Sequence, residues 1–297
     1  MTGFVFLDKE EGITSFIGAA KMRRIFSEKK AGHTGTLDPM ATGVLPIALG
    51  YATRFIELIP SHDKAYRATF LLGKTTDTLD ITGTVLTENE VTAKKEDVEK
   101  AISKFRGEIS QLPPMYSAIK KNGVRLYELA RQGIEIERES RRVTIYSLEL
   151  VSSDEEKNEY VIDVECSSGT YIRSLISDIG EELSCGAVMT SLRRTKANGI
   201  SIEKCYTAEQ LEKLKEEGRL SEALVRVDEF LSYPKLKVSA PQARRFSNGG
   251  ALATDRFGGK KEPGLYLVYS PDNEFLGVGE IDSEITELSP KRVYRGE

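Results

Sequence analysis

The stretch Gly32-His33-Thr34-Gly35-Thr36-Leu37-Asp38-Pro39-Met40-Ala41-Thr42 concentrates groups that can do chemistry. Two glycines, three threonines and a proline make it an irregular loop rather than a helix or strand. Asp38 is its only acid. Pro39 removes a backbone donor and pushes Asp38 out of the helical region, which fixes the direction in which the carboxylate leaves the chain. An isolated Asp-Pro is ordinarily an Asx-type turn, with the carboxylate bonded to its own backbone. Here the apolar run Val44-Leu45-Pro46-Ile47-Ala48-Leu49 follows at once and seats the loop on a buried element, as functional loops are seated. A carboxylate so placed can serve as nucleophile or base.

A second charged group stands where elementary electrostatics disfavours it. The segment Gly169-Thr170-Tyr171-Ile172-Arg173 opens a helix whose apolar positions are Ile172, Leu175, Ile176, Ile179 and Leu183, with Thr170 as expected cap and Gly186 as stop. A cation in the first turn opposes the helix macrodipole by ~0.3–1 kcal/mol. A partner carboxylate is the simplest reason for Arg173 to be there; an exposed Arg173 paired with Asp178 is the plain alternative. Tyr66 heads the alternating run Tyr66 to Gly73, with Tyr66, Ala68, Phe70 and Leu72 on one strand face. Such a tyrosine packs in a core with its hydroxyl tied to a neighbour, or presents its ring to a ligand.

The run from Gly32 to Pro46 resembles the catalytic motif of the TruB family of tRNA pseudouridine synthases. Lys64-Ala65-Tyr66 followed by Leu72-Gly73 and Asp77 is similar to that family's second motif, Gly169 to Arg173 to its third, and Ala187 to Thr195 to a further conserved segment of the family. The resemblance implies that Asp38 is the catalytic carboxylate, that Arg173 pairs with it and keeps it ionised, and that Tyr66 stacks on the target base. It further implies that Leu192, Tyr171 and Lys9 line the substrate site, with His33 placed to fill the space vacated by a flipped base. The family's first motif has Pro after its Lys, where this chain has Glu10, so Lys9 reads equally as a surface lysine. The implied substrate is the uridine at position 55, in RNA numbering, in the T loop of tRNA. Isomerising uridine breaks its N-glycosidic bond, turns the base and joins C5 to the sugar. One carboxylate can do this by attack at the sugar carbon, by attack at ring C6, or as base at the 2′ carbon, and no redox cofactor is called for.

The elements that must hold these residues follow from the rest of the chain. At 297 residues with 39% hydrophobic content there is enough chain for one sizeable domain and a small one. No apolar run approaches the ~20 residues of a membrane span, and no basic-then-apolar segment opens the chain, so a cytoplasmic protein is expected. Cys166, Cys185 and Cys205 lack CxxC spacing, and His33 and His62 have no ligand-type residues at metal spacing, so neither a disulfide framework nor a metal is expected. No phosphate-binding glycine signature is present.

The net charge of −4 is unusual for an RNA binder, but the signs are segregated. Lys120, Lys121, Arg125 and Arg131 interleave with Tyr116 and Tyr127 after Pro113-Pro114, cations for phosphate beside rings for bases. This segment resembles the family's RNA-contacting insertion, about residues 108–142. Arg193 and Arg194 are expected to join Lys120, Lys121 and Arg125 along the RNA backbone.

Phe4 to Leu7 reads as a strand, Thr14 as cap of a helix burying Met22, Ile25 and Phe26, and Val98 to Phe105 as a helix ended by Gly107. Val143 to Val151 and Tyr160 to Cys166 read as strands, Ala208 to Leu224 as one acidic helix, and Val225 to Pro234 as a linker. Gly264 to Ser270 and Phe275 to Ile281 form a hairpin around Pro271-Asp272-Asn273. The pattern alone gives mixed strands and helices. The resemblance adds an α+β catalytic domain over residues 1–230 with a largely antiparallel central sheet, and a small β-rich domain of the PUA type over 235–297 that binds RNA. A monomer acting on the T arm of tRNA is expected. A guide-dependent synthase on other RNA and a tRNA-folding module are the alternatives, disfavoured by the compact insertion and by the presence of Asp38, Tyr66 and Arg173.

Overall fold

The computed structural model describes residues 1–60, 62–121, 123–257, 262–282 and 287–296. The chain opens with β1 (Gly3–Lys9), α1 (Ser15–Ile25), β2 (Ala31–His33), β3 (Thr42–Leu49) and β4 (Lys64–Leu72). A hairpin of β5 (Lys74–Thr76) and β6 (Val85–Glu88), α2 (Lys95–Ser103), β7 (Gly107–Gln111), a second hairpin of β8 (Lys120–Lys121) and β9 (Val124–Arg125), and α3 (Leu126–Ala130) follow. Next come β10 (Arg141–Asp154), β11 (Glu159–Cys166), α4 (Ile172–Glu182), β12 (Ala187–Ala197), β13 (Ile200–Ser201), α5 (Ala208–Glu216) and α6 (Val227–Leu231). The last part contains β14 (Lys235–Lys237), α7 (Ala240–Ser247), β15 (Leu252–Ala253), β16 (Gly264–Tyr269), β17 (Phe275–Ile281) and β18 (Glu287–Val293).

Nine strands form the central sheet, in the order β1-β3-β12-β4-β11-β10-β7, with β2 also on β3 and β13 on β12. Every pairing is antiparallel except β12 with β3. The mixed α+β architecture and the largely antiparallel sheet are therefore as expected. On β4 and β11 alternate residues turn inward: Tyr66, Ala68, Phe70 and Leu72 share one core with Tyr160, Ile162 and Val164. The apolar faces of α2 and α4 cover it through Val98, Ala101, Ile102, Leu175, Ile176 and Ile179. Strands β1 and β3 are instead buried almost continuously, because both their faces are covered. Met22, Ile25 and Leu211 lie on one side, and Phe55, Val227 and Phe230 on the other.

Thr14 caps α1 as expected, accepting from the Ile17 N–H at 3.2 Å. Four boundaries differ. Gly107 (φ +90°) opens β7 rather than ending α2, which stops at Ser103. The acidic segment is two elements, since Gly218 (φ +72°) breaks it after α5 and a 3-10 turn, Leu220–Ala223, follows. Helix α4 begins after Tyr171, not Thr170. Residues 225–234 are not a linker. Val225 exchanges backbone hydrogen bonds with Phe4 at 2.7 and 2.8 Å, and Phe230 of α6 packs its ring 4.5 Å from Phe4 and 5.3 Å from Phe6. Val227, Phe230 and Leu231, spaced as one helical stripe, supply the apolar face that makes this an anchored helix.

The expected hairpin is β16–β17, in a five-stranded sheet ordered β14-β16-β17-β18-β15. Its Leu267, Tyr269 and Val278 share a core with Phe55, Val227 and Phe230, so the small sheet is packed onto the large one. Among the described residues no helix is long and apolar enough to cross a membrane.

Candidate active site

Strands β2 and β3 pair from Ala31 opposite Leu49 to His33 opposite Ile47 and then separate, and the loop of residues 34–41 spans the gap. The second half of β12 lies parallel beside the start of β3, with Arg194 opposite Gly43. Gly43 has φ +103°, and a Cβ there would stand 2.2 Å from the Arg194 carbonyl oxygen, so only glycine permits this approach. The wholly buried Arg194 side chain runs beneath the loop. Its Nε donates to the Val44 carbonyl at 2.7 Å, Nη2 to Gly35 at 3.2 Å and Nη1 to Thr36 at 3.4 Å.

From β1, the equally buried Lys9 donates its Nζ to the carbonyls of Glu10 (2.8 Å), Ile13 (2.8 Å) and Pro39 (3.2 Å). Ser15 closes the third side, accepting from the Leu37 N–H at 2.8 Å and donating to its carbonyl at 3.2 Å. The loop's shape is thus enforced through its main chain, and Asp38 projects from a fixed base.

Arg173 meets that carboxylate. Its Nε lies 3.0 Å from Asp38 Oδ2, Nη1 lies 3.5 Å from Asp80 Oδ2 and donates to the Thr78 carbonyl at 2.9 Å, and Nη2 donates to the Tyr116 carbonyl at 2.9 Å. One buried guanidinium therefore joins the Asp38 loop, the turn between β5 and β6, and the segment after Pro113-Pro114. Asp178 is not its partner. Asp80, which sequence reasoning missed, is also saturated: its Oδ1 accepts from Thr78 Oγ1 (2.9 Å), Thr82 N–H (3.0 Å) and Thr82 Oγ1 (2.5 Å). The helix start that aims Arg173 is set by Gln111, whose side chain donates to the Tyr171 carbonyl at 3.1 Å and accepts from its N–H at 2.8 Å. Thr170 instead donates its hydroxyl back to Ser167 at 3.0 Å.

Burial pushes the Asp38 carboxyl above its ordinary range; Arg173 pulls it down, Asp80 adds to the rise and Lys9 opposes it. The carboxylate keeps 35% of its surface exposed, and the guanidinium in contact favours its ionised form against the effect of burial. Burial lowers Lys9 to about 8 despite the attraction of Asp38. Burial raises the Tyr66 phenol to about 12, so it stays neutral, with the nearby Arg194 guanidinium opposing the rise. The Tyr66 ring shares an apolar cluster with Leu37, Ala41 and Leu192. His33 is held neutral by burial and by the Arg194 charge, and its buried Nδ1 has no hydrogen-bond partner.

The remaining sites divide. Lys120, Lys121 and Arg125 stand exposed on the β8–β9 hairpin, where Lys121 Nζ donates to the Glu137 carbonyl at 2.5 Å and Arg125 to the Tyr127 hydroxyl at 3.0 Å. Arg193 is 43% exposed and forks onto Asp8 at 2.7 and 3.1 Å. Arg194 has no exposed surface, so the expectation that it follows RNA phosphates is corrected: neighbouring strand residues face opposite ways, and Arg194 faces inward. Lys9 is not a surface lysine, and all three of its N–H donors are taken by carbonyls, which leaves none for a substrate. Tyr171 lies beside Arg173 in sequence, with its ring beneath the Arg141 guanidinium at 5.1 Å.

The sequence profile of the N-terminal domain of TruB family pseudouridylate synthases matches residues 23–172. The profile of the tRNA pseudouridylate synthase B C-terminal domain matches residues 173–232, and that of the pseudouridine synthase II TruB C-terminus matches 234–294. A Pseudomonas fluorescens protein named tRNA pseudouridine synthase B is 43% identical over all of this chain and 97% of its own. A Clostridium perfringens protein of that name is 43% identical over 96% of each chain. An Escherichia coli one is 40% identical over 99% of this chain and 95% of its own. Among solved structures, a chain from an H/ACA RNP bound to a substrate RNA containing 2′-deoxyuridine matches with TM-score 0.72 and 25% identity, over 99% of this chain and 85% of that one.

Proposed function

The chain belongs to the TruB family of pseudouridine synthases, and from that premise we propose that it isomerises the uridine at position 55, in RNA numbering, of the tRNA T loop, with Asp38 as the catalytic carboxylate. A tRNA pseudouridine synthase is an isomerase: the N1–C1′ bond breaks, a C5–C1′ bond forms, a proton leaves C5 and one is gained at N1. The observation that carries the assignment of Asp38 is its 3.0 Å contact with Arg173, on a loop held from three sides.

In this reading Arg173 fixes the direction of the Asp38 carboxylate, so whichever carbon is attacked, or whichever proton taken, the oxygen is already aligned. Tyr66, neutral and buried, offers its ring to the uracil face, with Leu192 beside it. RNA lying over the cleft excludes water from the 35% of Asp38 still exposed, which strengthens the hold of Arg173. His33 occupies the place of the extruded base. Lys120, Lys121 and Arg125 follow phosphates, Arg193 does so once released from Asp8, and the small sheet of residues 235–297 is a PUA-type RNA contact. The protein acts as a monomer in the cytoplasm. Full-length likeness to proteins named tRNA pseudouridine synthase B favours this stand-alone reading over a guide-dependent one.

Release of tritium from tRNA carrying 5-tritiated uridine tests it. We expect release by the native chain and none detectable from Asp38→Asn, which keeps size and hydrogen bonding but lacks the charge, with tRNA affinity little changed. Activity within about tenfold of native would remove Asp38 from the centre of the reaction. Tight tRNA binding with no release by the native chain would leave a folding or binding role instead.

A further inference from the structure

The first turn of α1 exposes an aromatic ring for which its packing gives no reason. Phe16 is 77% exposed, more than any other large apolar side chain among the described residues, and Ile17 beside it is 49% exposed. The helix has a core face of its own, through Ser15, Gly18, Ala19, Met22 and Ile25, and Phe16 is not on it. A ring left in water forgoes the energy of burial.

Its position is not arbitrary. Ser15, the preceding residue, is bonded in both directions to Leu37, the residue before Asp38. The Gly12 N–H donates to the Pro39 carbonyl at 2.8 Å. With consecutive Cα atoms about 3.8 Å apart, Phe16 and Asp38 flank one contacting pair. Phe16 therefore follows directly on the residue that ties α1 to the loop carrying the carboxylate. Farther along the same helix and its following turn are the exposed cations Arg23, Arg24, Lys29 and Lys30.

We propose that Phe16 is a stacking platform for an unpaired base of the RNA, next to the reacting uridine; this rests on the Asp38 cleft being the isomerisation site. Extruding one base unstacks its neighbours, and a bare π-face is what an exposed ring can take up. The short chain path to the Asp38 loop and the exposed cations at the far end of the same helix favour RNA over a protein partner or a second copy as the occupant.

The chain has no tryptophan, so Phe16→Trp introduces a single indole that can be excited selectively at the red edge, where the tyrosines do not absorb. Titrated with a T-arm hairpin RNA, its fluorescence should be quenched by the stacked base, with a midpoint equal to the Kd from filter retention. Phe16→Ala should raise KM roughly 5- to 150-fold with the loss falling on KM rather than kcat, and Phe16→Tyr should restore it. Emission unmoved at saturating RNA, or an unchanged KM in Phe16→Ala, overturns the proposal. So does emission that shifts with protein concentration before RNA is added, which would identify a second copy as the occupant. With the native chain active these outcomes refute the stacking role alone, whereas a native chain that releases no tritium refutes the cleft assignment and this proposal together.

Discussion

Arg173 serves two carboxylates with one positive charge. Asp38 is held at 3.0 Å and Asp80 at 3.5 Å, and the second is the better satisfied of the two, since three further donors reach its other oxygen. Asp80 is thus an anchor for the guanidinium rather than a rival to Asp38. Asp80→Asn should lower single-turnover rate by roughly tenfold or more while RNA affinity holds, because Arg173 loses part of its fixed orientation. The sign of the pH effect separates the causes. Asp80 raises the Asp38 pKa, so removing its charge moves the acid limb of the rate profile to lower pH. A rate loss that persists on the alkaline plateau is orientation, whereas the change in protonation alone raises the rate on the acid limb and leaves the plateau unmoved. In the sequence, the pairing of Arg173 could be read from a cation at a helix start. Asp80 could not, because Thr78-Leu79-Asp80 reads as an ordinary turn until an arginine far along the chain is brought to it. Arg194 was misread as a surface cation although the period-two rule puts Arg193 and Arg194 on opposite faces.

Helix α4 is where the site's aim is decided, and its apolar stripe was legible for the usual reason: the period of 3.6 survives whatever surrounds it. Its start was not, because the group that brackets Tyr171 is the side chain of Gln111 on β7, which no local pattern reveals. The anchoring of α6 was available in the spacing of Val227, Phe230 and Leu231 and was hidden by Pro234. One residue of α4 is placed at a cost. Burial, with Glu181 adding to it, raises the Asp178 carboxyl to about 6. A folded pKa above the unfolded one means that the native state binds the extra proton, so stability is lost as pH rises from the unfolded value toward 6. Asp178→Asn should therefore stabilise the protein above that window, by about 1 kcal/mol after allowing for partial exposure, and by progressively less toward pH 4. Urea midpoints of the two proteins across that range check it; a gain independent of pH would assign the effect to packing.

At the scale of the molecule, two sheets share one core, which composition and motif matching did not foretell because the contacts join distant segments: Phe55 with Phe275 and Tyr294, and Phe230 with β1. Deleting residues 234–297 would uncover Phe55, Val227 and Phe230, each worth about 1.5–3 kcal/mol when buried. The truncated chain should aggregate or lose its cooperative melt, seen by size exclusion and calorimetry, rather than simply bind RNA less well. A soluble, cooperatively melting truncation would show that the large sheet stands alone. The same long-range bonding orders events during synthesis. The loop's two arginines come from residues 173 and 194, so a nascent chain of 172 residues holds Asp38 and the cations of the β8–β9 hairpin with neither arginine to fix the loop. Such a chain carries its reacting group and its RNA-facing cations before either arginine that aims that group has been made.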